Sequence, residues 1–214
     1  MKYDAIVVAS GKGERAKLGF NKVFFVMKNG KTVLENACSN FLHDEDCEKV
    51  IIVTNDEDKV FRHSKIEIVK GGEKRANSVY NGLCKCESEF VFIHDGARPF
   101  VNYEDIEKLK EAIQKYDGVI LARKATDTIK LTKDGMVQET LNRENIYQAL
   151  TPQAFKTDLI KEAYGTLDVT NCTDDASVLE KYNHQVKVIE GSADNIKLTI
   201  EEDFKNLWWL KKWL

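Results

Sequence analysis

The sequence predicts a doubly wound, mostly parallel α/β sheet, and three observations carry that expectation. Short, near-continuous apolar runs (AIVVA, VIIV and FVFI) suit strands covered on both faces. Helical stretches with start signals alternate with them, which is the pattern of βαβ units. A chain of 214 residues, 43% hydrophobic and 31% charged, is long enough for one such domain with a sizeable core.

Tyr3–Ala9 reads as the first strand. Thr32–Leu42 reads as a helix opened by a capping box, Thr32 with Glu35 three residues on. Strands are expected at Lys49–Thr54, Ile66–Val69, Phe90–His94, Gly118–Arg123 and Val186–Glu190. Helices are expected at Glu73–Cys84, Tyr103–Tyr116 and Lys156–Leu167, with Thr199-x-x-Glu202 capping a last one. TDTIKLTKDGMVQETL breaks the rhythm, because alternating runs flank Asp134-Gly135, a hairpin signal. Residues 124–150 are therefore expected to project as a β-arm from a single domain spanning 1–214. The terminal FKNLWWLKKWL should pack Phe204, Leu207 and Trp208 onto the sheet, leaving Trp209 and Trp213 as a small contact patch.

Composition excludes several classes. A net charge of −3, from 32 basic and 35 acidic residues, gives no field to collect nucleic acid over a whole face. No apolar run exceeds five residues, whereas a membrane span needs about 20, and the start lacks a signal-peptide pattern. The five cysteines form no C-x-x-C and read as reduced, buried thiols of a cytoplasmic protein. Only 2 prolines occur, Pro99 and Pro152, where average usage would give roughly eleven. Fixed φ at these two should hold Arg98 and Thr151 extended in rigid turns.

In such a sheet, ligands sit beyond the carboxyl ends of strands. The first strand runs into Ser10-Gly11-Lys12-Gly13-Glu14-Arg15-Ala16, whose glycines let backbone N–H groups approach an anion. Gly11-x-Gly13-x-x-Ala16 matches a loose dinucleotide fingerprint, so a nicotinamide-dependent oxidoreductase is one reading. Against it, Gly19 and VFFVM interrupt the required helix, and no ribose-binding acid follows at about 20 residues. Lys12, Arg15 and Lys22 suit a nucleoside triphosphate better; a solvated glycine turn explains the segment equally well. Gly71-Gly72-Glu73-Lys74-Arg75-Ala76-Asn77-Ser78 opens a helix and offers backbone donors, with Arg75 and Ser78 on neighbouring positions. FVFIHDGARPF ends a strand in His94 and Asp95, and an aspartate there can hold Mg²⁺ bridging triphosphate oxygens. His94 could act as a base, although a histidine beside an aspartate more often only hydrogen-bonds within its loop.

Taken in order, ASGKGER, GGEKRANSV, HDGARPF, LNRENIYQALTPQAF, TDDASVLE and EGSADNIKLT resemble the 2-C-methyl-D-erythritol 4-phosphate cytidylyltransferases. The resemblance covers nearly the whole chain. It implies a Rossmann-like fold of nucleotidyltransferase type, CTP as co-substrate, Mg²⁺ or another divalent cation, and a homodimer whose β-arms embrace. By that resemblance Arg15, Lys22 and Lys197 serve catalysis. Ala9, Ser10, Gly11, Gly72, Ala76 and Ser78 bind the nucleotide, and Asp95 anchors the metal. Arg98, Thr128, Arg143, Thr151 and Thr173 bind the acceptor, Thr128 and Arg143 from the partner subunit's arm. The chain departs from the family pattern at Asn21 and Val23, which flank Lys22, and at Gly96 and Asn142. Asn21, in place of a usual proline, leaves the Lys22 loop less rigid. A ribitol 5-phosphate cytidylyltransferase shares this chemistry and is the nearest rival; a nucleotide-binding protein without catalysis is a third reading.

Overall fold

The first strand, β1 (Tyr3–Val8), pairs in parallel on both sides, with β2 (Cys47–Thr54) and with β4 (Phe90–Asp95). Strand β3 (Ile66–Lys70) extends the sheet beyond β2, again parallel. On the other side β8 (Tyr147–Lys156) lies antiparallel between β4 and β5 (Gly118–Lys124), and β9 (Val186–Glu190) closes that edge. The seven strands run in the order β3-β2-β1-β4-β8-β5-β9. The computed structural model describes residues 1–207; Trp208, Trp209 and Trp213 lie outside the described residues.

Alternation along the strands divides the core into two layers. Tyr3, Ala5 and Val7 of β1 face one cluster with Leu34, Cys38 and Phe41 of α1 (Val33–His43) and Ile106, Leu109 and Ile113 of α3 (Tyr103–Ile113). Ile6 faces the other, with Val79 and Leu83 of α2 (Arg75–Leu83), Ile160 of α4 (Thr157–Thr166) and Val178 of α5 (Asp175–Lys181). Burying each such side chain is worth about 1.5–3 kcal/mol, so both faces must be covered for the sheet to stand. A small third cluster seats Phe204 of α6 (Glu201–Asn206) and Leu207 against Ala16, Met27 and Leu198, so these two residues are buried as expected but on the loop segments beside the site rather than on the sheet.

The capping box of α1 is present: Thr32 Oγ1 accepts from Glu35 N at 3.1 Å, and the Glu35 carboxylate accepts from Thr32 N at 2.6 Å. The last helix differs. Asp203, not Glu202, reaches back to cap it, its carboxylate accepting from the backbone of Thr199 and Ile200. Two elements were not anticipated. Helix α5 grows from TDDAS, whose Asp174 side chain caps Ser177 N. Strand β8 takes up LTPQAF, which reads as a turn because proline cannot donate to a ladder. Its partner β5 passes from Ile120↔Gln153 to Ala122↔Ala149, so Pro152 falls in a bulge where no donor is needed. The expected rigid turn at Pro152 is thus a strand interior.

The hairpin forms as read: β6 (Lys130–Lys133) and β7 (Met136–Thr140) make a separate two-stranded sheet. Asp134 and Gly135 both have positive φ, as a tight hairpin turn requires. Every residue of both strands is exposed, including Leu131, Met136 and Val137. Tyr147–Leu150, counted with the arm by sequence, belong to β8, and 147–149 pair with β5 in the main sheet.

All five cysteines are free, but only Cys38, Cys47 and Cys86 are buried; Cys84 is exposed and Cys172 half-buried. The helix α2 ends at Leu83, which leaves Cys84 facing solvent. Burial raises the three interior thiols, Cys47 to about 12. Iodoacetamide at pH 8 should therefore alkylate Cys84 in the native protein and leave those three until denaturant is added. Peptide mass spectrometry checks this, and early labelling of Cys38 would contradict the burial.

Candidate active site

The chain winds from β1 to β2 and β3 on one side and resumes at β4 on the other, so a crevice opens beyond the carboxyl ends of β1 and β4. A cavity of about 590 Å³ lies there. Two glycine-bearing loops and two strand ends line it. In the first loop Gly13 takes φ +71°, a left-handed conformation that starts a 3-10 turn at Glu14–Ala16. That turn lasts three residues, so the long helix of a dinucleotide fingerprint is absent. Chain direction then reverses and brings Lys22, in a second 3-10 turn, back to the cavity.

Asn21 fixes this reversal. It is buried, its Nδ2 donates to Ala9 O at 2.8 Å, and its Oδ1 accepts from Val23 N at 3.4 Å. The loss of rigidity expected from the missing proline is thus offset by a tether to the end of β1, and the apolar Val23 is buried in the core. Burial first, then the nearby charges of Lys197 and Arg15, lower the Lys22 ammonium to about 8. The second loop lies close against the first. A Cβ on Gly71 would come within 2.3 Å of Ser10 Cβ, so only glycine fits there. The Ser78 hydroxyl binds both loops: it accepts from Gly72 N at 3.0 Å, shares a 2.8 Å hydrogen bond with Ser10 Oγ, and lies 3.2 Å from Lys74 O.

Asp95 closes the floor. Lys197 Nζ lies 2.7 Å from its Oδ2, Arg75 Nε 3.3 Å from its Oδ1, and Arg98 Nε 3.8 Å from Oδ2. Burial alone would raise this carboxyl; Arg75, then Lys197, outweigh it and hold the group well below the usual carboxylate range. Asp95 is ionised throughout the neutral range. His94, the preceding residue, points to the opposite face of the sheet, as alternation demands, and its ring meets Phe41 of α1.

Comparison with known proteins agrees with this geometry. Residues 3–207 match the family model of 2-C-methyl-D-erythritol 4-phosphate cytidylyltransferase. The protein of that name from Geobacillus kaustophilus is 39% identical over 215 residues, spanning 95% of this chain and 94% of its own. The one from Bacillus velezensis is 38% identical over 216 residues, spanning 95% and 93%. The chain belongs to this family. Among solved structures, the Francisella tularensis enzyme of the same name superposes with a TM-score of 0.85 at 32% identity, covering 98% of this chain and 99% of its own. The 4-diphosphocytidyl-2C-methyl-D-erythritol synthase of Anaerococcus prevotii gives 0.85 at 32% identity, covering 98% and 96%.

Against the site expected for a cytidylyltransferase of this family, the structure brings Ala9, Ser10, Gly11, Arg15, Lys22, Gly72, Asp95 and Lys197 to one cavity. Ala76 and Ser78 do not line it. Ala76 packs toward the second core layer, and Ser78 lies fully buried under the loops that it joins. Arg98 and Thr151 are also buried behind Asp95 rather than open to a substrate. They belong to a closed ring of hydrogen bonds. Arg98 Nη1 donates to Asn195 O (2.8 Å), Asn195 Nδ2 to Thr151 O (2.8 Å), and Thr151 Oγ1 lies 3.1 Å from His94 Nδ1. His94 Nε2 closes the ring on Arg98 O at 3.0 Å, and Asp95 N donates to Thr151 Oγ1 at 3.0 Å. With Nε2 donating and Nδ1 accepting, His94 is neutral; burial lowers it to about 4. Through Thr151 it supports the Asp95 backbone. Thr173 is exposed before α5, and Thr128 and Arg143 are exposed near the hairpin, outside this cavity; Arg143 donates to Thr126 O.

Two groups take roles in the structure that their sequence context does not show. Arg75 lines the cavity and makes a two-pronged salt bridge to Asp175, with N–O distances of 2.9 and 2.7 Å. Its place in GGEKRANS was the available signal; nothing in the sequence pairs it with a residue 100 positions on. Asn21 was read only as a missing proline. As for a metal, no group of three or more His, Cys, Asp or Glu side chains gathers among the described residues. The donor set does not fit an ion caged by protein alone. It fits a Mg²⁺ held by one ionised carboxylate, Asp95, with water and substrate phosphates supplying the rest.

Proposed function

We propose that this protein joins CTP to 2-C-methyl-D-erythritol 4-phosphate, forming 4-diphosphocytidyl-2-C-methyl-D-erythritol and pyrophosphate. The observation that carries the reading is the convergence of Arg15, Lys22 and Lys197 with two glycine loops on one cavity, in a chain of this family. The attacking group is a phosphate monoester that already carries about 1.5–2 negative charges at neutral pH. It needs no general base, and His94, the histidine beside Asp95, is buried and engaged. Attack by its oxygen on the α-phosphorus forms one P–O bond as the bond to the β-phosphate breaks, and pyrophosphate leaves. No proton has to move. What remains is in-line positioning and positive charge where negative charge crowds. Lys22 and Arg15 face the triphosphate, and Lys197 faces the junction of the two phosphates. Backbone N–H and C=O groups of Ala9–Gly11 and Gly72 read the cytosine edge, which small side chains leave accessible. A Mg²⁺ on Asp95 would neutralise triphosphate charge when bound.

The acceptor side is completed by a second copy in this reading. Thr128 and Arg143 do not line their own cavity, and the hairpin beside them exposes Leu131, Met136 and Val137. Exposed apolar side chains on a two-stranded hairpin suit burial against a partner. No helix among the described residues is long and apolar enough to cross a membrane, and we place the protein in the cytoplasm.

Pyrophosphate release from CTP and Mg²⁺, measured across a panel of sugar-alcohol phosphates, tests the proposal. Methylerythritol phosphate should give the highest kcat/KM, with ATP and NADH inert. Preference for ribitol 5-phosphate would move the assignment to that acceptor.

A further inference from the structure

Asp175 lies outside the cavity lining, yet it controls a group inside it. Its side chain is fully buried, and the Tyr164 hydroxyl donates to Oδ1 at 2.6 Å. Both terminal nitrogens of Arg75 are committed to this carboxylate, at 2.9 and 2.7 Å. Only Nε remains for Asp95, and it reaches Oδ1 at a long 3.3 Å. One guanidinium therefore lies between two carboxylates, and its two-pronged edge, the stronger grip, is spent on the one farther from the chemistry. Arg75 keeps its charge because Asp175 and Asp95 together outweigh its burial.

We propose that Asp175 is a positioning residue whose charge keeps Arg75 from gripping both oxygens of Asp95, leaving that carboxylate able to take a divalent cation. The inference rests on the reading of Asp95 as the metal-holding group. Of the other two cations, Arg98 stays 3.8 Å away, while Lys197, at 2.7 Å, has a side chain 38% exposed, so incoming phosphates can draw it away. Arg75, half-buried in the clamp, stays. Removing the Asp175 charge leaves Asp95 as the only carboxylate for Arg75, which then competes with the metal.

Mn²⁺ serves as probe. Water-proton relaxation enhancement reports Mn²⁺ held in the ternary complex with saturating CTP, without turnover, and thermal unfolding is followed alongside. Asp175→Asn should raise the Mn²⁺ dissociation constant by on the order of tenfold, the scale of one redirected charge. Asp175→Glu keeps the charge and should hold Mn²⁺ as the parent does, even where altered packing lowers Tm. Arg75→Gln breaks the same clamp and should lower Tm as Asp175→Asn does, but without weakening Mn²⁺. A merely structural clamp predicts that Arg75→Gln and Asp175→Glu lose Mn²⁺ in step with stability, and that result overturns the proposal. So does parent-like Mn²⁺ affinity in Asp175→Asn. If Asp175→Asn does not fold, Asp175→Glu and Arg75→Gln still decide. Asp95→Asn is the separate control: unchanged Mn²⁺ binding there removes the underlying reading of Asp95 itself.

Discussion

Lys22→Ala should lower kcat by roughly 10²–10³, the loss seen when one preorganised transition-state donor is removed. Lys22 is held half-buried in the cavity by a loop that Asn21 ties to Ala9 O, so its ammonium is positioned before substrate arrives. Arg15 and Lys197 crowd the same space, and with burial they depress Lys22 to about 8. Three cations held together in a partly dehydrated site are relieved when triphosphate enters. Near-normal turnover in Lys22→Ala would remove the residue from the mechanism.

The same depression fixes the sign of a pH effect. Below pH 8 the free protein carries Lys22 protonated; as pH rises through about 8 the charge is lost. Triphosphate favours the charged form, so kcat/KM for CTP should fall above about pH 8, while the limb in kcat lies higher. Lys22→Arg should abolish that limb within the measurable range, because arginine stays charged. Stability runs the other way. The unfolded chain holds this proton up to the ordinary value of 10.5, so between about 8 and 10.5 it binds more protons than the folded chain. Lys22 therefore costs stability at neutral pH, and that cost fades as pH rises through this window. Lys22→Met, which keeps the aliphatic stem, should raise Tm at pH 7 while turnover collapses, a trade of stability for function at an active site.

Much of this was legible in the residues, for reasons that also mark the limits. Glycine turns after apolar runs locate the carboxyl ends of β1 and β3, and the wound order places the cavity between β1 and β4. The box at Thr32 and the Asp134-Gly135 turn are local devices, so a local reading finds them. Strand β8 was hidden because its proline sits in a bulge that only the register with β5 reveals. The facing of His94 and Asp95 was hidden for another reason. Every residue from Phe90 to Asp95 is buried, so no polar alternation tells which side chain meets which layer. Arg98 and Thr151, each beside a proline, are given to the acceptor by the resemblance alone, with no local signal of where their side chains turn. Their inward hydrogen-bond ring depends on Asn195, which approaches from the chain's far end. The clamp of Arg75 on Asp175 depends likewise on α4 and α5 packing beside α2, a tertiary fact with no local trace.

Activity should reappear when two dead variants are mixed, if the arm of each subunit completes its partner's site. Arg143→Ala keeps Lys22 but lacks the arm's cation; Lys22→Ala keeps Arg143 but lacks the triphosphate's. Neither homodimer has a whole site. In a twofold dimer each cavity meets the other chain's hairpin, so a heterodimer holds one site with both groups and one with neither. Random exchange at equal amounts makes about half the dimers mixed, and the mixture should regain about a quarter of parental activity. The geometry behind this is that Arg143 lies outside its own cavity, is exposed, and donates only to Thr126 O among the bonds described. An arm that served its own subunit predicts no recovery. Heterodimer formation is verified first, by native mass spectrometry of differently tagged chains, after unfolding and refolding them together. Inactive heterodimers would then assign Arg143 to its own chain's site or to none, and the exposed Leu131, Met136 and Val137 would need another explanation.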